Sequence, residues 1–109
     1  MMKDDELYLK HIRDSISKIE EYTKGIDREK FLENSLIQDG VVRQLEIIGE
    51  ATKKLSQEFR SKYPQSPWKD IAGMRDKLIH GYFGVNLDAV WDTVKSDIPN
   101  LKDEIRNIR

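Results

Sequence analysis

The feature that most restricts how this chain can fold is the spacing of its apolar residues, which return every three or four positions along most of its length. From about Asp4 to Lys24, Leu9, Ile12, Ile16, Ile19 and Thr23 draw one stripe, with charged side chains filling the other faces. That spacing matches the turn of an α-helix and not the alternation of a strand. Gly25 reads as the stop of this helix, and Asp27 as the N-cap of a short one carrying Phe31 and Leu32. A second long helix is expected from about Ser35 to Arg60, striped by Ile37, Val41, Leu45, Ile48, Thr52, Leu55 and Phe59. Val42, Ile47 and Ala51 widen its apolar face, which predicts contact with more than one neighbour. Gly40 and Gly49 lie inside it, each costing about 1 kcal/mol against alanine. Close packing at these two positions and plain tolerance of glycine both explain them.

"KYPQSP", Lys62 to Pro67, is a break. Ser66 and Pro67 then read as an N-cap and first-turn pair, opening a helix through Trp68, Ile71, Met74 and Leu78 that ends at Gly81 and Gly84. Asn86 is expected to cap the last helix, striped by Leu87, Val90, Trp91, Val94, Ile98, Leu101, Ile105 and Ile108. Pro99 interrupts that stripe and predicts a kink or break near Asp97. The sum is four or five helices with short connections: an all-α, up-and-down bundle forming one domain over residues 1–109.

Composition narrows the function classes. The formal net charge is −1, so no overall positive field advertises nucleic-acid binding, and any such contact must come from a local patch. Cysteine is absent, which removes disulfides and thiolate metal sites. No apolar run approaches the roughly 20 residues needed to cross a bilayer. The acidic start "MMKDDELYLK" does not resemble a secretory signal. A soluble, cytoplasmic protein is the expectation.

One stretch carries more chemistry than a core helix needs. In "MRDKLIHGYFG", Met74 to Gly84, an arginine, a histidine and a tyrosine fall within eight positions of a chain with two histidines. At about 100° per residue, Arg75 lies within the apolar arc set by Ile71, Met74, Leu78 and Ile79, while His80 points about 140° away from it. A guanidinium in that arc needs a carboxylate, a subunit boundary or an anionic ligand. One reading is an ion pair with Glu46 or Glu50 of the long helix; the other is a grip on phosphate, which suits a planar fork of donors. His80 and Arg75 converge on one ligand only if the helix frays at Ile79–Gly81 or a second subunit closes the site. Asp76, one turn before His80, is placed to accept an imidazole proton, as a simple helix-end pair would also do. Tyr82 packs its ring or offers its hydroxyl. Together these are parts for metal-free phosphodiester chemistry, in which histidine moves a ribose proton and arginine steadies charge on phosphorus. His11 lies off the first stripe and reads as a solvated residue, and neither histidine has neighbours enough for a metal site. No metal and no cofactor are expected.

The pattern Arg75-x4-His80-Gly81-Tyr82 resembles the signature of the HEPN superfamily, specifically its HepT-like branch. Asp76 after the arginine suits it, and three further stretches agree in order: "IIGEA" (Ile47 to Ala51), "PWKDIAGMRD" (Pro67 to Asp76) and "VWDTVKSDIPNL" (Val90 to Leu101). The resemblance covers nearly the whole chain. It implies a small helical bundle that pairs as a homodimer and brings two motifs to one cleft. It further implies a metal-independent endoribonuclease with Arg75 and His80 as the catalytic pair and Asp76 and Tyr82 in support. Such proteins resemble the toxins of toxin–antitoxin systems, whose partner, a minimal nucleotidyltransferase, silences them by attaching AMP to the tyrosine, here Tyr82. The alternative is a non-catalytic helical dimer that binds nucleotide or presents Tyr82 to that partner, which the near-neutral charge favours. A third reading is a purely structural bundle with Arg75 in an ion pair.

Overall fold

The computed structural model describes residues 3–78 and 84–108. Its order is α1 (Lys3–Thr23), α2 (Arg28–Glu33), α3 (Ser35–Lys54), α4 (Gln57–Lys62), α5 (Trp68–Ala72), α6 (Met74–Leu78), α7 (Leu87–Asp92), a π-helical turn (Thr93–Asp97) and α8 (Ile98–Arg106). The fold is all-α, as the periodicity requires. Among the described residues no helix is long and apolar enough to cross a membrane.

Helix α1 packs against both α3 and α8. Its end at Tyr22 meets Gly40 near the start of α3, and its beginning at Asp5 bonds to Ser56 just past the end of α3, so the two helices run antiparallel. Lys102 of α8 reaches Glu20, whereas Arg13 donates to the carbonyls of Ile105 and Ile108, so α8 is antiparallel to α1 as well. The expected stripes form the core between these three helices. Leu9, Ile12, Ile16 and Ile19 of α1, Val41, Leu45 and Ile48 of α3, and Val90, Ile98 and Ile105 of the last arm are each at most 2% exposed. Burial on that scale contributes about 1.5–3 kcal/mol per side chain and dominates folding.

Several caps hold as read. Gly25 adopts φ +74° after α1, a conformation that a side chain would strain. The side chains of Asp27 and Asn86 accept from Lys30 and Ala89 at the first turns of α2 and α7. Gly40 is a close approach: a Cβ there would lie 3.2 Å from the Tyr22 ring. Gly49 is buried against α5, but with only ordinary contact, 3.5 Å to the Ala72 carbonyl.

Three expectations are corrected. The helix read as continuous to Arg60 stops at Lys54, and Leu55 turns extended at ψ 139°. The cause is tertiary: buried Asp5 accepts from the Ser56 amide and hydroxyl, both at 2.7 Å, and Ser56 Oγ in turn caps α4 by accepting from Phe59. Ser66 is not an N-cap. Pro67 precedes α5 without a side-chain cap, and Ser66 is buried in a turn whose Tyr63 carbonyl accepts from both the Ser66 amide and the Trp68 indole. Burying Trp68 against Phe59 sets that turn. The following helix is interrupted at Gly73, where φ −88° and ψ 0° divide α5 from α6. These breaks raise the count among the described residues to eight α-helical segments, beyond the four or five expected.

The disturbance expected before Pro99 takes the form of the π turn. Proline lacks an N–H and its ring presses on the carbonyl four residues back, here Lys95. The Ile98 amide bonds instead to Thr93, five residues back, and the widened turn carries the stripe onward into α8.

Candidate active site

Arg75 sits in the short helix α6, which is pinned to the core by Met74 on one side and Leu78 further along, 7% and 4% exposed. These two residues and Ile71 take the buried line, so Arg75 falls on the edge where α6 meets α3. Its side chain is 42% exposed, which corrects the expectation of an arginine inside the apolar arc. Its Nε lies 3.6 Å from Glu46 Oε2 of α3, and its Nη1 lies 3.4 Å from Asp76 Oδ1. Of the two carboxylates named in advance, Glu46 is the partner; Glu50 faces Lys53 instead, at 3.4 Å. With both groups in contact with solvent, the Arg75–Glu46 pair contributes about 0–1 kcal/mol. Stability therefore gives little reason for the guanidinium, and its donors stay accessible to an anion.

His80 and Tyr82, with Ile79, Gly81 and Phe83, lie outside the described residues, and so does the fraying expected at Ile79–Gly81. What is described is how the segment that carries them begins and ends. The Leu78 carbonyl accepts a hydrogen bond from the Asn86 amide at 2.9 Å, which closes the chain around residues 79–85. Gly84 takes φ +86°, and the Asn86 side chain starts α7 one step later. Helix α7 is braced from α2, where Arg28 bonds to Asp88 and Asp92 at 2.7 and 2.5 Å. Sequence reading found Asn86 as a cap but missed this closure, because a backbone amide leaves no mark in residue identity.

On the other side of α6 a groove of about 560 Å³ opens toward α8, with Asp70, Asp97 and Glu104 on its walls and Lys77 at its edge. Its carboxylates disfavour a phosphate backbone. No group of three or more metal-ligating side chains occurs among the described residues. His11 is exposed on α1, edge-on to the Tyr8 ring at 6.2 Å, in keeping with a solvated residue.

Comparison with known proteins bears on the chain as a whole. The family model "Ribonuclease HepT-like" matches residues 12–108. A Methanocaldococcus jannaschii protein named "Gamma-glutamylcyclotransferase and putative RNase" is 54% identical over 99% of this chain, which spans 49% of that longer relative. A "Putative RNase" of Caldanaerobacter subterraneus subsp. tengcongensis is 48% identical, covering 98% of this chain and 96% of its own length. A Thermococcus cleftensis protein named "Probable ribonuclease HepT" is 46% identical over 100% of this chain and 99% of its own. No solved structure matches the chain. By the family model and these relatives, the chain belongs to the HepT-like ribonuclease family.

Proposed function

We propose that this chain is a metal-independent endoribonuclease toxin working as a homodimer, with Arg75 and His80 as its catalytic pair. The observation that carries the reading is Arg75: a half-exposed guanidinium at the start of the motif, held at a helix edge where its pairing contributes little to stability. A bidentate fork there suits a phosphodiester, and the near-neutral chain concentrates RNA contact at such local cations.

In the reaction, His80 takes the proton of a ribose 2′-hydroxyl while the 2′-oxygen attacks the adjacent phosphorus. The P–O5′ bond breaks, a proton is delivered to the leaving 5′-oxygen, and Arg75 stabilises charge on the non-bridging oxygens. The products are a 2′,3′-cyclic phosphate and a 5′-hydroxyl. Single-stranded or loop RNA is the substrate class, because in-line attack needs a backbone free to bend. Pairing of two copies brings both motifs to one cleft, with Asp76 and Tyr82 in support. A minimal nucleotidyltransferase acts as antitoxin by attaching AMP to Tyr82, whose added phosphate repels RNA at the mouth of the cleft.

Purified protein should cleave single-stranded RNA in EDTA and leave cyclic-phosphate ends, and Arg75→Ala and His80→Ala should each abolish cleavage while light scattering still reports a folded dimer. Full activity in both variants would remove this assignment. No cleavage by the unmodified protein, together with AMP found on Tyr82 after incubation with the partner and ATP, would favour the non-catalytic dimer.

A further inference from the structure

Arginine grips phosphate well only when the plane of its guanidinium is fixed, and a side chain with four rotatable bonds does not fix itself. Arg75 has two carboxylates beside it, and they differ in kind. Asp76 is the adjacent residue, its side chain is 71% exposed, and it touches Nη1 at 3.4 Å. Glu46 is only 32% exposed, belongs to the twenty-residue helix α3, and reaches Nε at 3.6 Å. The backbone beneath Glu46 is immobilised by Leu45 on one side and Gly49 on the other, both buried in the core or against α5. Glu50 is engaged by Lys53 and does not compete for the arginine.

Contact at Nε has a particular consequence. A guanidinium offers two edges to an oxyanion pair, one through Nε and one Nη, the other through both Nη groups. A carboxylate at Nε lies against the first edge; on the second, Nη1 touches only the exposed Asp76, and Nη2 has no partner among the described residues. We infer that Glu46 is a positioning residue for phosphate recognition: it tethers Arg75 by Nε and so presents the Nη end to the scissile phosphate, which takes the place of the exposed Asp76 at Nη1. This rests on the proposed role of Arg75 as the phosphate clamp. Glu46 itself does not touch RNA in this scheme. Its negative charge sits close to the bound phosphate, so its removal does not weaken substrate binding.

The test is steady-state cleavage of a short single-stranded RNA by the purified full chain, comparing Glu46→Ala and Glu46→Gln with the unmodified protein. Glu46→Ala should lower kcat about tenfold, since small misplacement of a clamp is felt in the transition state, and should leave KM unchanged or lower. Glu46→Gln keeps an oxygen able to face Nε and should recover kcat to within about threefold of the unmodified protein. Thermal midpoint and dimer mass should be unchanged in both. A kcat for Glu46→Ala within twofold of the unmodified value overturns the inference, as does a Glu46→Gln variant as slow as Glu46→Ala. Arg75→Ala is run alongside: if it stays active, the clamp reading itself falls, whereas an inactive Arg75→Ala with a fully active Glu46→Ala removes only the role of Glu46.

Discussion

Replacing Asp5 with alanine should destabilise the protein far more than its place in the first turn of a helix suggests. Asp5 is 2% exposed, and its two oxygens accept from the amide and the hydroxyl of Ser56, both at 2.7 Å. Hydrogen bonds to an ionised partner contribute about 1.5–3 kcal/mol each, and water reaching half-buried Ser56 returns part of that loss. The expected cost is about 3 kcal/mol, or roughly 12–18 °C in Tm for a domain of this size. Favourable charge at the start of a helix alone would account for only about 0.3–1 kcal/mol. Asp5→Asn keeps one acceptor and should cost about 1 kcal/mol. Urea unfolding followed by far-ultraviolet circular dichroism measures both variants, and a double-mutant cycle with Ser56→Ala should show coupling of about 1–2 kcal/mol. A loss below about 1 kcal/mol for Asp5→Ala, or no coupling, would refute the claim that this carboxylate sets the break between α3 and α4.

Other outcomes follow from the same geometry. Gly49→Ala should raise stability by about 0.5–1 kcal/mol, because its Cβ would meet the Ala72 carbonyl at an ordinary 3.5 Å; a loss of stability would mean that α5 cannot tolerate the contact. Asn86→Ala should cost about 1 kcal/mol through loss of the α7 cap, and Asn86→Asp should restore most of it, both read from thermal melts. If Arg75 is the main phosphate contact of each protomer, log(kcat/KM) against log salt should slope by roughly −0.7 to −1.4 on single-stranded RNA; a slope steeper than about −3 would reveal a wider basic surface.

Where local rules decide structure, the chain could be read in advance. The stripes of α1 and of the last arm are core residues, and Gly25, Asp27 and Asn86 act as predicted, because caps and periodicity depend on near neighbours. The breaks at Ser56 and in the turn before Trp68 were not legible. Ser56 caps α4 through its near neighbour Phe59, but the carboxylate that holds it there, Asp5, lies 51 residues away. Ser66 was misread because serine before proline is a strong local signal, overridden here by the burial of the Trp68 ring. For the candidate site, residue identity pointed to Arg75 and offered Glu46 as its partner, but ideal helical angles placed the arginine too deep. The interruption at Gly73 and the shortness of α6 make an extended helical wheel a poor guide there.

The fold holds the two ends of the Arg75–Asn86 interval by different means, and that division bears on how the site works. At the first end, Met74 and Leu78 anchor α6 to the core while α3 supplies a carboxylate to the arginine. At the second, the Leu78 carbonyl and the Asn86 amide close the interval, and α7 is fixed by its own cap and by Arg28 of α2. Residues 79–85, which include His80 and Tyr82, are thus bounded by one hydrogen bond between two rigid elements. Arg75 is thereby tied to the core through α6 and to α3 through Glu46, so its place follows from the packing of the bundle.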